Sequence, residues 1–278
     1  MKIGGRNYTV KGHTYVMGIL NITPDSFSDG GKYNMMDRAL YHVEEMIDEG
    51  MDVLDIGGES TRPGYTPISD EEEIARVSPV IEKIKSTFDV PVSLDTYKSG
   101  VAKAGITAGA DMINDIWGLK FDPELAEVIA GADIPCCLMH NREKAVYENY
   151  MEEVLRDLED TLAIAHRAGI ADEKIILDPG VGFGKSYENN LEIIDRLEML
   201  HALGCPIMLG ASRKSVIGHT LDLPPEERVE GTLVTSVYAV LKGAMFVRVH
   251  DVKENVRAIS MAEAIRDGAV RTKGPGYK

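Results

Sequence analysis

Few cysteines, a shortage of positive charge and the lack of any long apolar run each exclude a class of protein. Only three cysteines occur in 278 residues, at Cys136, Cys137 and Cys205. The first two are adjacent, none has the spacing of zinc ligands, and all lie in apolar runs. That pattern reads as buried free thiols in a reducing compartment. Lysine and arginine number 30 against 45 acidic residues, giving a formal net charge of −15. General affinity for nucleic acid or an anionic membrane surface is thereby excluded, although cations gathered in one place can still bind anions. No apolar stretch approaches the ~20 residues that span a bilayer, and no signal-peptide pattern opens the chain. Low-complexity segments and long linkers are also absent. The expectation is a cytoplasmic protein with one domain over residues 1–278.

What is present is alternation. With 44% apolar residues the chain can bury a sizeable core. Short β-like runs at 15–22, 53–57, 91–95, 112–116, 134–139, 174–178, 206–210 and 245–249 are apolar at successive positions, as in strands covered on both faces. Helical patterns at 37–49, 70–87, 98–108, 123–130, 150–168, 188–203, 228–242 and 253–266 separate them. Several end at a glycine suited to a left-handed cap: Gly50, Gly109, Gly169, Gly204 and Gly243. Eight strand–helix units predict an α/β fold, a (β/α)8 TIM barrel. An open doubly wound sheet competes, but it would gather its ligands at one crevice. Residues 1–12, with β-like Tyr8-Thr9-Val10 and a Lys11-Gly12 turn, predict a short N-terminal β-hairpin able to plug the barrel.

Nearly every predicted strand ends in a polar residue, and a barrel brings those ends to one rim. In order they are Asn21, Glu59-Ser60-Thr61-Arg62, Asp95, Asn114-Asp115, Met139-His140, Asp178, Ser212-Arg213-Lys214 and Arg248-Val249-His250. Asp95, Asn114, Asp178 and Lys214 close apolar strands, where a carboxylate or amide needs a partner. They suit a flat heterocycle, with Asp178 accepting two parallel N–H bonds from a 2-amino-pyrimidinone edge and with Ile116 and Met139 on the ring faces. A buried salt bridge to a neighbouring lysine or arginine is the alternative for Asp95 and Asp178.

Asn21, Arg62, Arg213, Arg248 and His250 form a second group, suited to an anion near the last strands. The amide oxygen of Asn21 is a candidate ligand for Mg²⁺. For His250 a satisfied core histidine is the other reading, although its spacing from Arg248 puts both on one side of a strand. A hydroxyl run leads into a helical stretch near Ser215, which would either hold an anionic oxygen or simply cap the helix. Loops 23–32 and 62–67, rich in proline and glycine, have the composition of lids.

The motifs Asn21-Ile22-Thr23-Pro24-Asp25-Ser26-Phe27-Ser28-Asp29-Gly30-Gly31, Glu59-Ser60-Thr61-Arg62-Pro63-Gly64, Asp178-Pro179-Gly180-Val181-Gly182-Phe183-Gly184-Lys185, Ser212-Arg213-Lys214 and Arg248-Val249-His250 together resemble the dihydropteroate synthase family, over almost the whole chain. The resemblance implies a (β/α)8 transferase of folate biosynthesis. It would join 6-hydroxymethyl-7,8-dihydropterin diphosphate to p-aminobenzoate, releasing pyrophosphate, with Mg²⁺ as cofactor and with sulfonamides as mimics of the second substrate. A homodimer is implied too. Carried onto this sequence, it gives the pterin to Asp95, Asn114, Ile116, Met139, Asp178, Lys214 and Arg248. The diphosphate falls to Asn21, Arg248 and His250, with Mg²⁺ at Asn21. For p-aminobenzoate it implies Phe27, Thr61, Arg62, Pro63, Gly182, Phe183, Lys214 and Ser215, and as catalytic residues Asp95, Lys214, Arg248 and His250. Tyr65 stands where many relatives have a small residue. A pterin-dependent methyltransferase shares the barrel but has no use for a diphosphate site, and a non-catalytic pterin-binding paralogue would keep the pocket without turnover.

Overall fold

The computed structural model describes residues 1–22, 32–59 and 66–268. The chain opens with strands β1 (Lys2–Ile3) and β2 (Arg6–Asn7), paired antiparallel. Their turn is Gly4-Gly5, both at positive φ of 54° and 83°, the backbone that a two-residue hairpin demands. The hairpin therefore lies earlier than the Lys11-Gly12 turn expected from composition. It does plug the barrel. Ile3 and Tyr8 pack into a core with Met17, Met112, Cys137, Ile176 and Phe246.

The remaining elements run β3 (Tyr15–Asn21), α1 (Lys32–Asp48), β4 (Val53–Gly57), α2 (Asp70–Thr87), β5 (Val92–Asp95), α3 (Ser99–Ala108), β6 (Met112–Asp115), α4 (Glu124–Ala132), β7 (Cys136–Met139), α5 (Tyr150–Ala168), β8 (Ile175–Asp178), α6 (Tyr187–Asp195), β9 (Met208–Leu209), α7 (Ser215–Leu221), α8 (Val229–Leu241), β10 (Phe246–Val249) and α9 (Val252–Asp267). The order β8-β7-β6-β5-β4-β3-β10-β9 is parallel at every pairing among the described residues. A parallel bridge between Leu177 and Ile207 joins the two ends, with the Leu177 N–H donating to the Pro206 carbonyl at 2.9 Å. This closure excludes the open doubly wound sheet.

Local chemistry explains the helices. In α2, Ser69 accepts a hydrogen bond from the Glu72 N–H, and four acids fill the first turn, where they favour the helix dipole. Val77, Val80, Ile81 and Ile84 then recur on one buried face. All five glycines expected as caps have positive φ.

Three elements differ from the sequence pattern. Helix α1 starts at Lys32 rather than residue 37, because Met35 and Met36 already pack on the core ahead of the cap-like Asp37. The helix expected over 188–203 divides. After α6, Leu197–Leu203 is a 3₁₀ helix, and its leucines at 197, 200 and 203 follow the three-residue turn of that helix. A short helix, α7, occupies the stretch after Lys214, which the sequence marked only as helix-like.

Candidate active site

Strand register assembles the mouth of the barrel. Asn21 is paired with Gly57, Gly57 with Asp95 and Asp95 with Asn114. In-register residues of a parallel sheet point the same way, so these four positions form one inward layer. Met139 pairs with Asp178 on the far side. Gly57 is the gap in the layer. A Cβ placed there would lie 3.6 Å from Asn21 Oδ1 and 3.9 Å from Asp95 Oδ2, so the missing side chain leaves an oxygen-lined cradle.

Arg248, from the opposite wall, is held between two acids. Its Nε donates to Asp55 Oδ2 at 2.6 Å and its Nη2 to Asp95 Oδ2 at 2.7 Å. The salt-bridge alternative for Asp95 is therefore realised, but it does not exhaust the carboxylate. Asp95 Oδ1 and Asp55 Oδ1 are buried with no hydrogen-bond partner among the described residues. Such an atom is costly unless a ligand or water meets it. Burial pushes the Asp95 carboxyl up to about 7, although Arg248 opposes the rise. The second oxygen is thus available to a donor from the cavity.

Asp178 has no ion-pair contact within 4 Å among the described residues. Its Oδ1 accepts from the Gly180 N–H at 2.7 Å, and Lys214, the largest cationic influence on it, only partly offsets the upward shift from burial. Lys214 donates to the Val181 carbonyl and stands 4.7 Å from the Phe183 ring centroid, a cation–π distance. Burial lowers its ammonium to about 8, with Asp178 pulling the other way. Gly180, Gly182 and Gly184 all have positive φ. A Cβ on Gly180 would stand 1.9 Å from the His140 carbonyl, and one on Gly184 would stand 2.2 Å from that of Arg142. The spaced glycines let this turn lie directly on the backbone after β7.

Ile116, Met139 and Tyr97 form a separate buried cluster, with Trp117 and Phe183 packed on it. It supplies the apolar faces expected for a flat ring. Ser212 Oγ lies 3.0 Å from His250 Nδ1 and accepts from the His250 N–H at 3.2 Å, so the imidazole is oriented rather than loose. Arg213 departs from expectation. Its guanidinium forms a two-pronged pair with Asp251, which takes its charge away from a shared anion pocket. Ser215 is the first residue of α7, and the capping position is Lys214, whose side chain makes no cap bond. Hydroxyl capping, the alternative reading, is not what is found. Phe27, Thr61, Arg62 and Pro63 lie outside the described residues.

Several groups around this mouth had no individual role in the sequence reading. Asp55 sits in mid-strand, among apolar neighbours, and only its inward register exposes its link to Arg248. Asp115 points away from the layer and accepts from the Trp117 and Leu119 N–H groups at 2.8 and 2.6 Å, which makes it a turn residue. Lys98 joins Glu59 at 2.8 Å and Glu73 at 2.7 Å. It also donates to the Ile68 carbonyl at 2.9 Å, while Glu59 accepts from the Ile68 N–H at 2.8 Å and from Tyr97. Lys185 closes the Asp178–Lys185 motif without an expected role.

No group of three or more histidine, cysteine or acidic side chains is placed to hold a metal among the described residues. No helix among them is long and apolar enough to cross a membrane. Residues 17–250 match the pterin binding enzyme family. The chain is 58% identical over 266 residues to dihydropteroate synthase of Clostridium beijerinckii, covering 95% of this chain and 99% of that one. It is 52% identical over 255 residues to the Bacillus subtilis dihydropteroate synthase, covering 92% and 90%. Among solved structures, the Clostridium difficile dihydropteroate synthase with pteroic acid superposes at a TM-score of 0.90 with 49% identity, covering 92% of this chain and 98% of that one. The Xanthomonas albilineans enzyme with 4-aminobenzoic acid gives 0.90 at 41% identity, covering 95% and 97%. A closed barrel with a buried acid–amide layer at its mouth, and relatives alike over nearly their full length, lead to one assignment: the chain belongs to the dihydropteroate synthase family of pterin-binding enzymes.

Proposed function

We propose that the barrel mouth condenses 6-hydroxymethyl-7,8-dihydropterin diphosphate with p-aminobenzoate to give 7,8-dihydropteroate and pyrophosphate. One observation carries this reading. Asp95, with an unpartnered buried oxygen, and Asp178, with no ion pair among the described residues, both close strands that frame the apolar Ile116–Met139 face. A pterin edge presents N–H donors and a carbonyl in one plane. Asp178 would accept two of those donors, Asn114 and Asp95 would take others, and Lys214 would donate to the ring carbonyl side. Relatives solved with pteroic acid, with 4-aminobenzoic acid and with a sulfonamide are consistent with it.

The leaving diphosphate would meet His250, Asn21 and the outward edge of Arg248. Mg²⁺ fits the donors present, since it takes oxygen ligands and commonly uses few from protein and more from phosphate and water. The Gly57 cradle beside Asn21 Oδ1 leaves room for it. When bound, the ion would neutralise charge on the departing oxygens.

Loss of pyrophosphate from the exocyclic CH₂ leaves a cation delocalised into the electron-rich ring, an SN1-like path. Asp95 and Asp178 would stabilise it. The aniline nitrogen then attacks the CH₂ cation near Gly182, Phe183, Lys214 and Ser215, with Phe27, Thr61, Arg62 and Pro63 assigned to the same subsite by resemblance. The resulting ammonium loses its proton to the released pyrophosphate or water. Loops 23–32 and 62–67, expected to exclude water, fall mostly outside the described residues. Pyrophosphate release measured with and without p-aminobenzoate and Mg²⁺ tests the proposal. Release that ignores both would sink it.

We extend the reading to a single catalytic domain, a cytoplasmic location and a homodimer. An apolar groove of about 540 Å³ runs between α6, α7 and α8, lined in part by Leu191, Leu221, Val234 and Tyr238. All four are exposed hydrophobics, and a contiguous patch of this kind suits a second copy of the chain. Sedimentation of Val234→Glu should give monomer where the parent protein gives dimer.

A further inference from the structure

Lys185 is a partly buried cation that the reaction outlined above leaves unused. Its ammonium donates to His140 Nδ1 at 2.8 Å and to the Phe183 carbonyl at 3.0 Å, with the His140 carbonyl at 3.4 Å. No carboxylate lies within ion-pair distance of it among the described residues. Burial accordingly pulls the ammonium down to about 7. Asp178 and Asp157 oppose that shift, and Lys214 and Arg142 add to it. A lysine kept in so unfavourable a place needs a reason.

The contacts supply one. His140 begins the segment after β7, and Phe183 sits in the turn after β8, so the three bonds staple two adjacent loops. The staple crosses a close backbone approach, where Gly180 faces the His140 carbonyl. His140 is itself fixed from behind. Its Nε2 lies 3.0 Å from Asp157 Oδ2, which also accepts from Arg142 Nε at 2.6 Å. The Asp157 carboxylate can only accept, so the neutral imidazole carries its proton on Nε2, which leaves Nδ1 to accept from Lys185. Burial holds the histidine neutral by lowering it to about 4. The chain Asp157–His140–Lys185 therefore ends, rigidly, on the main chain of Phe183. On the other side of that turn, the Phe183 ring touches the Ile116–Met139 cluster and the Lys214 ammonium.

We infer that Lys185 is a positioning residue for the condensation step, holding the Phe183 turn in register with the pterin-binding layer so that the aniline nucleophile is correctly placed. The inference rests on the proposed reaction. Asp95, Asn114 and Asp178 stand on strands, whereas Phe183 and Gly182 stand on the stapled turn. Loss of the staple should therefore spare pterin binding and impair use of the second substrate.

The test compares Lys185→Met with the parent enzyme. Pterin diphosphate binding by calorimetry should stay within about threefold, while kcat/KM for p-aminobenzoate should fall about 30-fold or more, as expected when orientation is lost. Lys185→Arg, which keeps the charge and its donors, should recover at least a part of that loss. Equal losses in pterin binding and in p-aminobenzoate use would overturn the inference, and so would an unchanged Lys185→Met. If Lys185→Met does not fold, His140→Gln removes a single staple contact, and the same split between the two substrates must appear at smaller size. A parent protein that releases no pyrophosphate with both substrates would instead refute the proposed reaction, which separates the two failures.

Discussion

Asp95 and Arg248, from strands three places apart in the sheet order, meet across the barrel mouth with Nη2 2.7 Å from Oδ2. Asp55 takes the Nε of the same guanidinium, so one cation serves two buried carboxylates. Burial displaces the Asp95 carboxyl upward to about 7; Arg248 opposes the rise, and the neighbouring Asp55 charge adds to it. That displacement also ties the binding site to stability.

In the unligated protein, Asp95 should make stability fall as pH rises from about 4 to about 7. Between its unfolded and folded values the folded state binds the extra proton, so ∂ΔG_unfold/∂pH is negative there. A shift of this size corresponds to a few kcal/mol, roughly 1.4 per unit. Asp95→Asn should flatten this slope in urea unfolding between pH 5 and 7. Some slope will remain, because Asp115 is also raised, to about 6, by burial. An identical slope in the variant would show that Asp95 is not the group responsible.

How much of this was legible beforehand follows from the periodicities involved. The barrel was readable because eight apolar runs alternate with amphipathic ones, and α2 and α5 fall at the boundaries expected, 70–87 and 150–168. Asp95, Asn114 and Asp178 were readable because a polar residue closing an apolar strand is conspicuous. Asp55 was not, since a single acid inside a strand looks like an outward residue until register shows that it faces the barrel axis. Arg213 misled in the opposite direction. Its neighbours suggested an anion site, but its bidentate partner Asp251 lies 38 positions away, and no local pattern encodes that distance. The hairpin was placed late because Tyr8 was taken as a strand residue, whereas it is a plug side chain whose hydroxyl donates to the Asp52 carbonyl at 3.0 Å.

Lys98 should be more important to folding than its neutral-looking position suggests. It is buried between Glu59 and Glu73, 2.8 and 2.7 Å away, and burial raises the Glu73 carboxyl. Lys98→Met would leave two facing acids without their cation, a loss of about 3–5 kcal/mol. Adding Glu73→Gln should return part of it by removing one of the acids. Chemical denaturation of the single and double variants measures both effects. A double variant no more stable than Lys98→Met would mean that repulsion between the acids is not the cause.

Asp178→Asn should remove pterin binding with little effect on the fold. The Gly180 N–H bond to Oδ1, at 2.7 Å, can be kept by an amide oxygen. The other position becomes an NH₂, which donates toward a ligand edge that also donates. Losing a charge-assisted bond and gaining a clash of donors is worth about 3 kcal/mol or more, a factor above 100 in affinity. Calorimetry with the pterin substrate measures it. Affinity within tenfold of the parent would remove Asp178 from the pterin clamp.

Gly210 offers a way to narrow the site without replacing any polar group. An added Cβ there would lie 3.3 Å from Asp178 Oδ2 and 3.8 Å from Arg248 Cβ. The residue is not among those with positive φ, so alanine carries no backbone strain, and the contact is tight rather than prohibitive. Asp178 must shift by a few tenths of an ångström, and Gly180, which holds its other oxygen, limits the direction. Gly210→Ala should therefore melt within a few degrees of the parent, yet bind pterin about tenfold more weakly, because a bidentate contact tolerates little displacement. Paired thermal melts and pterin titrations separate the two effects. A variant that loses stability and affinity together would place the contact in the structural core of the barrel instead of at its ligand face.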